Sequence, residues 1–112
     1  MAKRVNNESS GNIFADIGLL DAEELNLKAE LVIKLGEIMR KRGLNQTATA
    51  EITGISQPDL SRLLRGHLRD VSAERLLRAL TRLEMEIDIS VRHHGEPVGE
   101  PIHLQPLRVL AR

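Results

Sequence analysis

The chain has 112 residues, no formal net charge, no cysteine and a single aromatic side chain, one Phe. Its length and 41% hydrophobic content suffice for one modest core, and the lack of cysteine excludes a disulfide framework and a thiolate metal site. With no Trp or Tyr, it also lacks the row of exposed rings on which single-stranded nucleic acids stack. It contains neither a run of about 18 apolar residues nor an apolar signal segment, which predicts a cytoplasmic protein without a membrane contact.

The N-terminal third predicts a polar leader and one long helix. Residues 1–11 are rich in Asn and Ser, which is typical of a disordered segment. Asp21 is a candidate N-cap for an amphipathic helix that continues to Arg42, with a break near Asn26 and Gly43 as its stop signal.

Two short helices are predicted next, joined at Gly54. The first covers residues 46–53, with Asn45 as its N-cap, and Gly54 can end it in the left-handed conformation. Ser56 is the N-cap candidate of the second, which covers residues 57–65, because Asp59 follows three residues later. The second helix has apolar residues on one side and polar residues on the other: Leu60, Leu63 and Leu64 against Gln57, Ser61, Arg62 and Arg65.

A fourth amphipathic helix and a strand follow. Ser72 is the N-cap candidate of the helix, which ends near Leu83 and has an arginine-rich, solvent-exposed face. Residues 85–92 alternate apolar and polar side chains, which predicts a half-buried strand. Its apolar side consists of Met85, Ile87, Ile89 and Val91.

A single strand leaves its edges unpaired, so it needs a partner. We expect the same strand of a second subunit to pair with it. The alternative is a hairpin within the chain, formed with the segment PIHLQ at residues 101–105. Residues 95–112 are otherwise predicted to form a flexible tail because of their Pro and Gly content.

Charge is distributed unevenly along this neutral chain. Residues 8–37 contain seven acidic and two basic side chains, whereas residues 40–82 contain nine basic and four acidic ones. A locally basic surface can attract a polyanion even when the whole molecule is neutral, although solvated helix faces would give the same counts.

Residue types within the segment 46–66 recur at the spacing of a helix-turn-helix. Counted from Gln46, a small residue follows at Ala50, a glycine at Gly54, and two apolar residues at Leu60 and Leu63. Two helices joined steeply by a short turn leave no room for a large side chain at Ala50 or an ordinary backbone at Gly54. The spacing therefore predicts a helix-turn-helix.

The stretch GLNQTATAEITGISQPDLSRLLRG resembles the helix-turn-helix of the XRE, or lambda-repressor-like, family, and the resemblance extends over about residues 31–83. Asn45 stands where this family usually has Thr, and Ala48 and Thr49 stand where Glu or Ala is common. We interpret both changes as surface changes. The resemblance implies a mainly α fold, a lambda-repressor-like helix-turn-helix bundle of about five helices with one C-terminal β-strand paired across a dimer.

The implied organisation has four parts. They are a disordered leader at residues 1–11, a helix-turn-helix DNA-binding domain with an N-terminal extension at 12–83, a dimerisation strand at 84–94 and a flexible tail at 95–112.

The resemblance also implies roles in binding double-stranded DNA. The helix from Gln57 to Arg65 would be the recognition helix, which reads base edges in the major groove through Gln57, Ser61 and Arg62. Contacts to the DNA backbone would come from Gln46, Thr47, Ser56, Arg65 and Arg69. The alternative is that Arg62 and Arg65 only solvate the outer face of the helix.

The flanks NIFADIGLLDAEELNLKAELVIKLGEIMRKRGL and RALTRLEMEIDISVR resemble those of HigA-like antitoxins of toxin–antitoxin operons. This resemblance implies a homodimer that represses its own operon and neutralises a RelE-like toxin, an mRNA-cleaving endoribonuclease. Two alternatives stay open. One is a stand-alone XRE-type regulator, and the other is a protein-interaction module with a vestigial helix-turn-helix, which would bind a basic protein through its acidic segment and Ile13, Phe14 and Leu19.

No pattern indicates an enzyme, a cofactor or a metal site. His93 and His94 are adjacent in the predicted strand, so they point to opposite faces, and no carboxylate pair completes a ligand set with His103. The acidic residues are accompanied by no nucleophile and no glycine-rich phosphate loop.

Overall fold

The computed structural model describes the backbone of residues 14–106 and the side chains of residues 21–106. The helices are α1 (Phe14–Arg42), α2 (Gln46–Thr53), α3 (Gln57–Leu64) and α4 (Ala73–Arg82). The strands are β1 (Ile87–Ile89), β2 (Arg92–His93), β3 (Glu96–Pro97) and β4 (Ile102–Leu104). The fold is mainly helical, with four helices in the described residues where about five were expected. The predicted leader at residues 1–11, Ile13 and the side chains of Phe14 and Leu19 lie outside the described part.

Helix α1 begins earlier than the sequence analysis predicted. It starts at Phe14 and runs for 29 residues through Asn26 without interruption, so the predicted cap at Asp21 and the break near Asn26 are wrong. The segment before Asp21 contains no proline and can continue the helix, which leaves a carboxylate in the helix interior without a capping role. Asp21 instead accepts a hydrogen bond from Nη1 of Arg69 at 2.7 Å.

Side-chain caps begin the other three helices at the predicted residues. Asn45 Oδ1 accepts from the backbone N–H of Ala48 at 2.8 Å, and Ser56 Oγ accepts from that of Asp59 at 3.2 Å. Ser72 caps α4 in the same way. Gly54 ends α2 with φ of 80°, a left-handed conformation that L side chains resist.

The core is aliphatic and forms where α1, α3 and α4 meet the turn after α2. Its buried members are Leu35, Met39, Ile55, Leu60, Leu63, Val71, Leu76, Ala79, Leu80 and Leu83. Two of them belong to α3, and both are essentially inaccessible to solvent. Burial of one side therefore fixes the orientation of α3.

Two charged side chains of α1 form hydrogen bonds with the backbone that follows α3 and α4. The buried Lys28 donates from Nζ to the carbonyl oxygen of Leu68 at 3.1 Å. Arg42 donates from Nη1 to the carbonyl oxygen of Leu83 at 2.8 Å, at the C-terminus of α4. None of the described helices is long and apolar enough to cross a membrane.

The C-terminal strands pair within the chain. β1 pairs antiparallel with β4, with Asp88 opposite His103, and β2 pairs antiparallel with β3. The intrachain hairpin that we kept as an alternative is therefore the observed arrangement, and residues 95–106 of the predicted tail contribute two of the strands. His94 and Gly95 make the reversal possible because both have positive φ, 52° and 84°. Strand pairing across a dimer stays a prediction.

Candidate nucleic-acid interface

Helix α3 presents a polar face opposite its buried leucines. Gln57 and Arg65 are exposed, and Ser61 and Arg62 are half-buried. The structure thus brings the three predicted base-contacting residues, Gln57, Ser61 and Arg62, to the accessible side of one short helix. A side chain on this face can reach a ligand without disturbing the core.

The predicted backbone contacts lie at both ends of the helix-turn-helix. Gln46 is half-buried and Thr47 exposed in the first turn of α2, and the exposed Ser56 caps α3. Arg65 and Arg69 are exposed and follow the C-terminal end of α3. Backbone N–H groups of a first helical turn lack partners within the helix, and together with the positive end of the helix dipole they favour a phosphate.

The predicted arginines are each held by a partner within the chain. Arg62 donates from Nε to Asp70 at 3.1 Å and also forms an ion pair with Asp59. Arg65 donates from Nη1 to the hydroxyl of Ser61 at 2.9 Å. Arg69 contacts Asp21 of α1, yet 70% of its side chain is exposed. These contacts restrict the side chains while leaving donors accessible.

Two buried threonines, which the sequence analysis missed, hold the turn between α2 and α3. Thr49 is fully buried and donates from Oγ1 to the carbonyl oxygen of Asn45 at 2.8 Å. Thr53 Oγ1 donates to the carbonyl oxygen of Thr49 at 2.8 Å and accepts from the backbone N–H of Ile55 at 3.3 Å. Our interpretation of Thr49 as a surface change is therefore wrong. The spacing of four residues, which places both on one helix face, was the available signal.

We expect Thr53→Val to lower the free energy of unfolding by about 1–3 kcal/mol, because the buried N–H of Ile55 would lose its acceptor while the shape of the side chain is nearly kept. Urea titration followed by circular dichroism measures the change. Thr47→Val is the matched control, since Thr47 is exposed on the same helix. Equal stability of the two variants would contradict this role of Thr53.

Helix α4 adds two cations near the same turn. Arg75 donates from Nη2 to the carbonyl oxygen of Gly54 at 3.4 Å. The guanidinium of Arg82 is also close to Gly54: a Cβ placed on this glycine would lie 3.2 Å from Nη1 of Arg82. Both arginines lie on the exposed, arginine-rich face that was predicted for this helix, but their position beside the C-terminal end of α2 was not predicted. There they offset the negative end of the helix dipole.

The predicted dimer strand divides into an inner and an outer part. Met85 and Ile87 are partly buried against the core. Ile89 and Val91 are exposed, by 38% and 51%. The structure adds two exposed aliphatic residues that the sequence analysis did not select, Val98 at 55% and Ile102 at 54%. We call residues 87–104 the β-arm.

Three of the four histidines, His93, His94 and His103, lie in the β-arm but do not converge. His103 Nδ1 is 2.6 Å from Asp88 Oδ1, whereas His93 and His94 contact each other through their rings. Among the described residues, no group of three or more His, Cys, Asp or Glu could hold a metal ion.

The capped α2, the glycine turn and the core-anchored α3 define a helix-turn-helix protein of the DNA-binding class. A family model described as "Helix-turn-helix domain" matches residues 13–92, and the chain belongs to this family of DNA-binding regulators. No curated protein and no solved structure matches the chain.

Proposed function

We propose that the protein is a sequence-specific transcriptional repressor that places α3 in the major groove of operator DNA. The observation that carries the proposal is the division of α3 into a face fixed by Leu60 and Leu63 and an accessible face with Gln57 and Arg62. Gln can pair bidentately with adenine and Arg with guanine, so this face carries side chains able to read sequence. Ser61 lies on the same face.

Contacts to phosphates would hold the helix in register. Gln46, Thr47 and Ser56 stand at the two helix N-termini, and Arg65 and Arg69 follow α3. Phosphate contacts fix position and orientation without selecting a base sequence. The proposal therefore assigns selectivity to Gln57, Ser61 and Arg62, and salt-dependent affinity to the two arginines.

Binding to the DNA upstream of the protein's own gene tests this proposal. Fluorescence anisotropy should show tighter binding to that DNA than to a shuffled sequence, and Gln57→Ala should weaken it by about 5–150-fold, the range for one good bidentate pair. Gln105→Ala is the matched control because Gln105 is exposed in the segment after β4. Equal affinity for the operator and the shuffled DNA would contradict the proposal.

We infer that the repressor acts as a homodimer through the β-arm. One helix-turn-helix covers a small footprint, and dimers of this class bind half-sites about 34–36 Å apart. Ile89, Val91, Val98 and Ile102 form an exposed aliphatic set, and each two-stranded sheet keeps free edges that a second copy can use. Met85 and Ile87 pack towards the core, so their contribution would be to position the arm.

Ile102→Asp should shift the protein to a monomer in sedimentation velocity and weaken operator binding, while the thermal unfolding midpoint stays close to that of the wild type. The expected cause is a carboxylate placed in the apolar dimer contact. Ile33→Asp is the matched control, because Ile33 is exposed by 57% on α1, outside the β-arm. A wild-type protein that stays monomeric on DNA would contradict the dimer.

We propose further that the repressor is the antitoxin of a RelE-like toxin and regulates its own operon, as the resemblance to HigA-like proteins implies. The outer face of α1 supports this role: Leu27 and Ile33 are exposed by 48% and 57%, and the exposed carboxylates Glu23 and Glu30 lie on the same face. An acidic, partly apolar face suits a basic protein partner.

Co-expression with the product of the adjoining reading frame tests the antitoxin role. A stable complex that Glu30→Lys with Leu27→Lys disrupts, while operator binding persists, is the expected result. Glu100→Lys with Gln105→Lys adds the same charge at two exposed positions outside the aliphatic set, and it is the matched control. Absence of a complex would leave a stand-alone regulator, and a complex without any operator binding would favour an interaction module.

A further inference from the structure

Arg62 is joined to two carboxylates from different parts of the chain. Asp59 lies one helical turn before it on α3, and Asp70 lies in the loop between α3 and α4. The Arg62 side chain remains 40% exposed, so the carboxylates hold the guanidinium without covering it. This arrangement differs from that of Arg65, whose partner is a neutral hydroxyl.

We propose that Asp59 and Asp70 are positioning residues that orient Arg62 to read one guanine in each half-site. This inference rests on the proposed DNA-binding function and names the residues that set its selectivity. The carboxylates act through Arg62, and direct contact with the base is made by Arg62 alone.

The donors of Arg62 show which edge is left for DNA. A guanidinium has five N–H groups. Asp70 accepts from Nε, and Asp59 accepts from one N–H of Nη2. Both N–H groups of Nη1 and one of Nη2 remain. One N–H of Nη1 lies beside one of Nη2 at the end of a guanidinium, and two adjacent donors of this kind pair with O6 and N7 of guanine.

Local charge separates this role from a phosphate contact. Two carboxylates around one guanidinium make the cluster acidic at neutral pH, so it does not attract a phosphate as a free arginine would. A held guanidinium also has less rotamer freedom to lose when DNA binds, and its rigid fork suits a bidentate contact. Both features favour selectivity over affinity.

The opposite reading is that the carboxylates sequester Arg62 from DNA. In that case, removing one of them would free the arginine and increase its discrimination for guanine. In the positioning role, the same substitution decreases discrimination while non-specific affinity stays constant or rises. The two readings thus predict opposite signs in one measurement.

The test is a competition binding experiment in which the intact protein chooses between single-base variants of the operator. Wild type should prefer guanine at one position of the half-site by about 5–150-fold. Asp70→Asn should reduce that preference to within about threefold and leave the preferences at other positions unchanged, because an amide holds the guanidinium less firmly than a carboxylate. Asp59→Asn should act in the same direction.

Two further variants keep the result interpretable. Arg62→Ala should abolish the guanine preference, and adding Asp70→Asn to it should cause no further loss of operator affinity, because a positioning residue acts only through the arginine. Glu74→Gln is the matched control, since it removes another exposed carboxylate that pairs with an arginine, Arg78. Asp70 is 54% exposed, and melting curves check that each variant folds.

Unchanged or increased guanine preference in Asp70→Asn would overturn the inference. A further loss of operator affinity when Asp70→Asn is added to Arg62→Ala would also overturn it. If Arg62→Ala keeps the preference while Gln57→Ala loses operator binding, the positioning role fails and the proposed function stands. If the wild type shows no preference for the operator at all, both fail.

Discussion

Leu60→Ala is expected to lower the free energy of unfolding by about 2–5 kcal/mol, the range for a buried leucine cut back to alanine. Leu60 has 0% of its surface exposed and joins α3 to the common core. Because the free energy of unfolding of a small domain is only about 5–15 kcal/mol, this change removes a large part of its stability. Urea titration followed by circular dichroism measures it.

Leu27→Ala is the matched control for Leu60→Ala. Leu27 is 48% exposed on α1, and its truncation should change stability by no more than about 0.5 kcal/mol. The Leu60→Ala protein should also lose operator binding as it unfolds, in contrast to Gln57→Ala, which keeps its stability. A cost below about 1 kcal/mol for Leu60→Ala would contradict the packing of α3.

Operator affinity is expected to fall roughly 100-fold when monovalent salt rises from about 50 to 200 mM. Each neutralised phosphate contributes about −0.9 to the slope of the logarithm of the binding constant against the logarithm of salt. Arg65 and Arg69 supply two cations per subunit, so a dimer should show a slope of about −3.6. Anisotropy titrations over this range measure the slope.

Individual arginines can be separated by their effect on this slope. Arg65→Gln and Arg69→Gln should each reduce its magnitude by about 1.8 in the dimer. Arg62→Gln should change the slope little, because Asp59 and Asp70 surround its charge. Arg78→Gln is the control, since Arg78 is exposed on α4 and pairs with Glu74. A slope near zero in the wild type would contradict phosphate binding.

Local chemistry made much of the helix-turn-helix predictable. Asn45 and Ser56 cap α2 and α3 as the sequence indicated, because a capping side chain reaches a backbone N–H only three residues away. Gly54 adopts the left-handed conformation that its position required. The apolar period of α3 likewise predicted that Leu60 and Leu63 face the core. In each case the cause and its effect lie within one or two helical turns.

The same local reasoning failed at Asp21. A capping residue begins a helix only where the preceding chain is not helical, and the segment before Asp21 continues α1. The short strands of the β-arm were equally hard to predict. Each sheet has two strands, so both are edge strands, and an edge strand tolerates a proline such as Pro97 of β3.

The cap residues, the turn glycine and the apolar stripe of α3 follow from the order of the amino acids alone, because they depend on backbone chemistry between near neighbours. Three other features required the packed fold: the burial of Thr49 and Thr53, the contact of Asp70 with Arg62, and the contact of Asp21 with Arg69 across 48 residues. Such contacts depend on how the helices pack, and many alternative pairings of opposite charges have similar energies until packing brings one pair together.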